Sequence, residues 1–234
     1  MMRLNSQSGQ SNTRKWHLWQ VEPDLECNLN CIMCPWRGYR KQLKDDGIMD
    51  KAVWNSLVPF LKDVKSIDFT GGGEPLLNGN LLDWMQQARH HGCETGFLTN
   101  GLLLKPSFSE KLIQINPDWL AISIDGADAV SYERIRRGSN FDELCRNIST
   151  LSRLRISDKP WLMINFVIME SNADQLEEMV RLAAGLGVDQ INVKQCDVIR
   201  SDFGKNLGIY AGEENKSIKR YKNYSNELKN LPEN

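Results

Sequence analysis

A parallel β/α barrel, closed or partly closed, is the fold class this sequence predicts, and three observations carry it. Short runs rich in β-branched and aromatic residues alternate six times with longer amphipathic segments. Alternation at this spacing demands parallel strands joined by helices as right-handed crossovers. The glycine-rich turn after the second run, Gly71-Gly-Gly-Glu-Pro75, lacks the G-x-G-x-x-G spacing of a dinucleotide site and has no Walker lysine, which disfavours an open doubly wound sheet. In such a barrel, chemistry belongs at the C-terminal ends of the strands.

The predicted strands cover residues 18–21, 66–70, 95–99, 119–124, 162–168 and 190–194. Asp50 is placed to cap a helix carrying Val53, Leu57, Phe60 and Leu61 on one side, and Leu81, Leu82 and Met85 form a stripe ending near Gly92. Asn172-Ala-Asp-Gln175 has the form of a capping box; Leu176, Met179, Val180 and Ala183 follow at helical spacing, and Gly185 and Gly187 stop the helix. Residues 1–15 read as a flexible leader, 16–200 as the partial barrel, and 201–234 as a helical segment with its helix near 213–231. The chain ends at Leu-Pro-Glu-Asn and reads as a fragment leading into an extension.

Charge is balanced, 29 basic against 30 acidic residues, so no electrostatic footprint for nucleic acid or an anionic membrane is present. No apolar stretch approaches the roughly 18 residues of a membrane span, and the polar N-terminus lacks the apolar core of a secretory signal. Six cysteines are too few for a disulfide scaffold in a chain this long, and three are bunched together. Metal-binding thiols in a reducing, cytoplasmic compartment are the expectation.

Those three are Cys27, Cys31 and Cys34, within Cys-Asn-Leu-Asn-Cys-Ile-Met-Cys-Pro35, in the loop that would follow the first strand. Iron–sulfur clusters usually take four thiolates. Three suggest a 4Fe–4S cubane with one iron open to a non-protein ligand, the mark of a catalytic rather than structural metal. Zinc would want a fourth Cys or His, and His90 and His91 fall at a helix end, on the opposite face of the barrel.

Further motifs recur at strand ends. Gly71, Gly72, Gly73 and Glu74 form a turn in which glycine permits positive φ or close approach of a ligand to the backbone. Leu98-Thr-Asn-Gly101 is equally a generic turn, and Ser123-Ile-Asp-Gly126 equally a strand-to-helix cap. Asn165, inside an apolar strand, is either a satisfied barrel amide or a ligand contact. Cys93 and Cys145 read as packing residues; for Cys196, at the barrel mouth, packing leads over ligation of an auxiliary cluster.

Taken together, Cys-x3-Cys-x2-Cys, Gly-Gly-Glu-Pro, Thr-Asn-Gly and Ser-x-Asp-Gly resemble the radical S-adenosylmethionine (SAM) superfamily from about residue 16 to 196, closest to the subgroup carrying a SPASM extension. Two departures are visible: Met33 stands where an aromatic residue is common, and the cysteine-rich extension is absent. The resemblance implies a partial (β/α)6 TIM-like barrel, with Cys27, Cys31 and Cys34 holding the cluster. It also implies SAM held by the backbone of Gly72, Gly73 and Glu74, by Ser123 and an arginine (Arg136 in preference to Arg134 or Arg137), and by Asn165. The end of the sixth strand, Lys194 to Cys196, would meet the adenine.

The implied reaction is reductive cleavage of SAM to a 5′-deoxyadenosyl radical that abstracts a substrate hydrogen, for peptide or protein modification or cofactor maturation. Alternatives are action on a carbohydrate or other small molecule, and a catalytically inactive iron–sulfur module. Implied partners are the peptide or small-molecule substrate and an electron donor such as flavodoxin or ferredoxin.

Overall fold

The computed structural model describes residues 14–40 and 47–196. Six strands follow one another: β1 (Trp16–Gln20), β2 (Val64–Asp68), β3 (Glu94–Thr99), β4 (Trp119–Ser123), β5 (Trp161–Ile168) and β6 (Gln190–Gln195). Each pairs in parallel with the next, so spatial order repeats chain order. Parallel neighbours need crossovers. These come from α1 (Trp36–Arg40) and α2 (Lys51–Leu57) after β1, α3 (Leu81–His90) after β2, α4 (Pro106–Ile115) after β3, α5 (Ala129–Ile135) and α6 (Phe141–Leu154) after β4, and α7 (Leu176–Leu186) after β5. The product is a curled half-barrel, as the β–α alternation requires. Most of residues 1–15 and all of 201–234, with the expected helix near 213–231, lie outside the described residues.

Strand alternation divides the sheet into two faces. On β5, Leu162, Ile164, Phe166 and Ile168 are buried in the hydrophobic core, while Asn165 and Val167 line the concave side. Register then aligns polar residues across strands: Ser123 lies beside Asn165, and Asn165 beside Asn192. On the core side, Trp54 of α2 stacks on Trp84 of α3 with centroids 5.4 Å apart and planes at 16°, and leans on Phe69 at 5.7 Å. Both indoles are fully buried.

Three local expectations change. Asp50 does cap α2, accepting from Ala52 N at 2.6 Å. The helix nevertheless ends at Leu57, because Pro59 has no N–H to continue it and the chain tightens into a 3-10 turn, Val58–Asp63. The buried positions are therefore Trp54 and Leu61, whereas Val53 (51%) and Phe60 (49%) face solvent. Asn172 forms no capping box with Gln175. Its Oδ1 accepts from Met169 N at 2.7 Å and its Nδ2 donates to Asp125 O and Val167 O at 2.9 and 3.0 Å, because a buried amide satisfies backbone groups that water cannot reach. Gly185 lies within α7, and Gly187, with φ of 70°, ends it.

The far end of the barrel is tied down by Arg14, whose Nη1 donates to Val64 O at 2.5 Å and whose Nη2 donates to His91 O at 2.8 Å. Ordered contacts thus begin inside the segment expected to be leader. Cys93 is buried there, its Sγ 3.3 Å from Leu61 O and Val64 O, as a packing residue.

Replacing Trp54 by Ala removes the wedge between α2, α3 and β2. The expected cost is about 3–5 kcal/mol in chemical denaturation, with the transition remaining cooperative.

Candidate active site

The cysteines sit on the loop after β1, laced to its neighbours through backbone. Glu74 N donates to Glu26 O at 2.7 Å, Asn30 N to Arg137 O and Ile32 N to Ile135 O at 2.9 Å. These bonds hold the loop against the loop after β2 and the end of α5. A cavity of about 330 Å³ opens at the C-terminal ends of the strands, a size suited to a small-molecule site. Cys27, Cys31 and Cys34 line it, as do Gly72, Gly73 and Glu74. Ser123, Arg136 and Asn165 complete the residues expected there, and Lys194, Gln195 and Cys196 contribute from the end of β6.

The glycines are required by proximity. A Cβ on Gly73 would lie 2.2 Å from Glu26 O and 2.5 Å from Asp24 O; one on Gly72 would lie 2.7 Å from the Trp36 ring. None of Gly71, Gly72 and Gly73 has positive φ, so of the two reasons offered for glycine here, close approach is the one that holds.

The Glu74 carboxylate is held by donors from the segments after β2 and β3. One oxygen accepts from the Thr99 hydroxyl at 2.7 Å and from Leu76 N at 3.2 Å; the other accepts from Asn100 N at 2.8 Å. Burial pushes its pKa up to about 6 against those three bonds. Asn100 in turn donates to Asn28 Oδ1 at 2.8 Å, bracing the cysteine loop. Thr-Asn-Gly is therefore a strut as well as a turn.

Of the three neighbouring arginines, Arg134 and Arg137 are exposed and Arg136 is buried. Arg136 Nη2 lies 2.7 Å from Asp125 Oδ2 and Nη1 lies 3.9 Å from Cys31 Sγ, while its Nε is buried without a hydrogen-bond partner. Asp125 also accepts from Val167 N at 2.7 Å, so it aims the guanidinium rather than capping a helix; Asp128 caps α5. Asn165 Oδ1 accepts from Asn192 Nδ2 at 3.1 Å, giving it a barrel partner while it remains on the cavity wall. Burial pushes the Cys31 thiol up to about 11, against the pull of Arg136, and raises Cys27 as well. Metal uptake by such thiols displaces their protons.

The sequence matches the Radical SAM superfamily over residues 25–193, which include every motif residue on this cavity up to Val193. The chain belongs to the radical SAM superfamily. Members of this family of enzymes bind a 4Fe–4S cluster and SAM. The mycofactocin maturase MftC of Mycolicibacterium smegmatis is 30% identical over 169 residues, covering 69% of this chain and 40% of that protein. A tungsten-containing aldehyde ferredoxin oxidoreductase cofactor-modifying protein of Pyrococcus furiosus is 26% identical over 181 residues, covering 74% and 49%. SuiB of Streptococcus suis, solved bound to S-adenosylmethionine, superposes with a TM-score of 0.71 at 18% identity, covering 92% of this chain and 48% of SuiB. This chain thus spans less than half the length of each. Among its described residues no helix is long and apolar enough to cross a membrane.

The residues fit the radical SAM cofactors. Among the described residues, no three His, Cys, Asp or Glu side chains form a group that could hold a metal ion. The three thiols instead share the wall of one cavity, as suits a cluster that takes one thiolate per iron. The unsatisfied Nε of buried Arg136 and the Cβ-free edge of Gly72 and Gly73 leave donors and room for a polar ligand beside them.

Arg40, Trp36, Asn100, Asp125 and Asn192 were not singled out by sequence as site residues. Asn100 and Asp125 lay inside recognised motifs but in structural guises; Arg40 and Trp36 carried no signal beyond following the cysteines. Gly73→Ala is expected to break the approach of the two loops, since backbone carbonyls cannot yield. A loss of about 1–3 kcal/mol in unfolding free energy, together with reduced iron after anaerobic reconstitution, would be read by denaturation and iron assay.

Proposed function

We infer that this chain generates a substrate radical from SAM, for peptide or protein modification or cofactor maturation. One observation carries the reading: three thiols, the Gly72–Gly73 backbone edge, Ser123 and Arg136 converge on one cavity at the C-terminal ends of the strands. When bound, the cluster and SAM supply one-electron reductive cleavage, yielding methionine and a 5′-deoxyadenosyl radical able to take a hydrogen atom from a substrate. Cys27, Cys31 and Cys34 would hold the cluster.

The chain's other residues bind and orient. The backbone of Gly72, Gly73 and Glu74 would accept the amino group of SAM, which needs acceptors and a close approach that no Cβ obstructs. Arg136, held by Asp125, would offer its fork to the carboxylate, a geometry that guanidinium matches with two bonds. Ser123 and Asn165, neighbours in register, would take the ribose, and the end of β6 the adenine. Leu29, Met33 and Leu98 make the wall partly apolar, which limits water near a reactive radical. An electron donor such as flavodoxin or ferredoxin would serve the cluster. Two relatives' names, a mycofactocin maturase and a cofactor-modifying protein, support cofactor maturation.

Anaerobically reconstituted protein, reduced with dithionite, is expected to bind iron and sulfide and to convert SAM to 5′-deoxyadenosine, with Cys31→Ala losing both. Retention of iron and of SAM cleavage by Cys31→Ala would sink the assignment.

A further inference from the structure

The short helix α1 places a cation among the thiols that none of the motifs includes. Arg40 closes that helix and lines the cavity with the cysteines. Its Nη2 lies 3.2 Å from Cys34 Sγ and 3.5 Å from Gly72 O, and its Nη1 donates to Leu29 O at 3.5 Å. One guanidinium therefore touches the cysteine loop at two points and the glycine loop at a third. Its Nε is buried without a hydrogen-bond partner among the described residues. The same positive charge acts on Cys27.

The consequences follow from charge. Cluster potentials respond to net charge and to hydrogen bonds on the ligand sulfurs. Adding an electron makes a thiolate-ligated cluster more negative, so a fixed cation donating to one of those sulfurs stabilises the reduced form. Arginine suits the task because it does not lose its proton, and its planar fork can hold a sulfur and a carbonyl together. Arg136 approaches a different thiol, but Asp125 neutralises it at 2.7 Å. Cys34, by contrast, faces a guanidinium whose partners among the described residues are sulfur and carbonyl oxygens.

We propose that Arg40 is a potential-setting and positioning residue: by donating to Cys34 Sγ and Gly72 O, it raises the reduction potential of the bound cluster and joins the cysteine loop to the glycine loop. This rests on the radical SAM reading above. The step it governs is transfer of one electron from an external reductant to the oxidised cluster; no bond breaks.

The test compares the wild-type 234-residue chain with R40K and R40Q after anaerobic reconstitution. Iron is counted, and the midpoint potential is measured without SAM by redox titration monitored by electron paramagnetic resonance. At equal iron content the midpoint should fall from wild type to R40K to R40Q. R40Q should show at least a tenfold lower ratio of reduced to oxidised cluster at the wild-type midpoint, about 59 mV for a one-electron couple. Equal midpoints at equal iron would overturn the role of Arg40 and leave the family reading intact. If R40Q holds less iron, R40K carries the comparison, and a wild-type midpoint in R40K overturns the proposal. A wild-type chain that takes up no cluster overturns the cofactor reading, and the role of Arg40 with it.

Discussion

The 2.7 Å hydrogen bond from Glu74 N to Glu26 O is the contact on which the site depends. It joins the loop after β1 to the loop after β2, bringing thiols and glycine backbone to one place. The bond forms only because Gly73 lacks a Cβ: one there would sit 2.2 Å from that same carbonyl. Glu74 is then locked by its side chain, which accepts from Thr99, Asn100 and Leu76 and so ties in the loop after β3. Three consecutive strand ends are thus held by one short segment. A buried carboxylate is costly without such partners, and these bonds partly offset a desolvation that still raises its pKa.

A second brace serves the other side of the cavity. Asp125 accepts from Val167 N and pairs with Arg136, and Asn172 donates to the backbone of both Asp125 and Val167. Strands β4 and β5 and the end of α5 are bound into one polar network beneath an apolar shell. Breaking such a pair by removing one member leaves an uncompensated buried charge, so the network favours a single position for the Arg136 fork. Rigidity of this kind suits a site whose ligands must meet several donors at once.

Much of this was legible before any coordinates. The β–α alternation specifies parallel strands, and parallel strands put their C-terminal loops together at one end; from that alone Cys27, Cys31, Cys34, Gly72, Gly73 and Ser123 could be expected to meet, whereas Arg136 was implied by the family resemblance. Strand positions differ from expectation by two residues at most, as with β1, which begins at Trp16 rather than at 18. Helix faces were less legible where two signals competed. Val53 and Phe60 fit a helical stripe, but Pro59 breaks the helical period between them, so burial passes to Trp54 and Leu61. Asn172 and Gln175 have capping-box spacing, yet tertiary neighbours offered Asn172 more bonds than the helix could.

What the sequence by itself determined is the chemistry on offer: the clustered thiols, the glycine edge, and the strand ends that carry them, because spacing and period act over a few residues. Which side chains brace and which face the cavity was decided only by tertiary structure. Arg136 turns inward while Arg134 and Arg137 face solvent, Asn192 joins Asn165, and Arg40 reaches Cys34. Such choices depend on atoms brought together from separate strands and loops, and on the cost of burying a polar group without a partner. No local pattern records either.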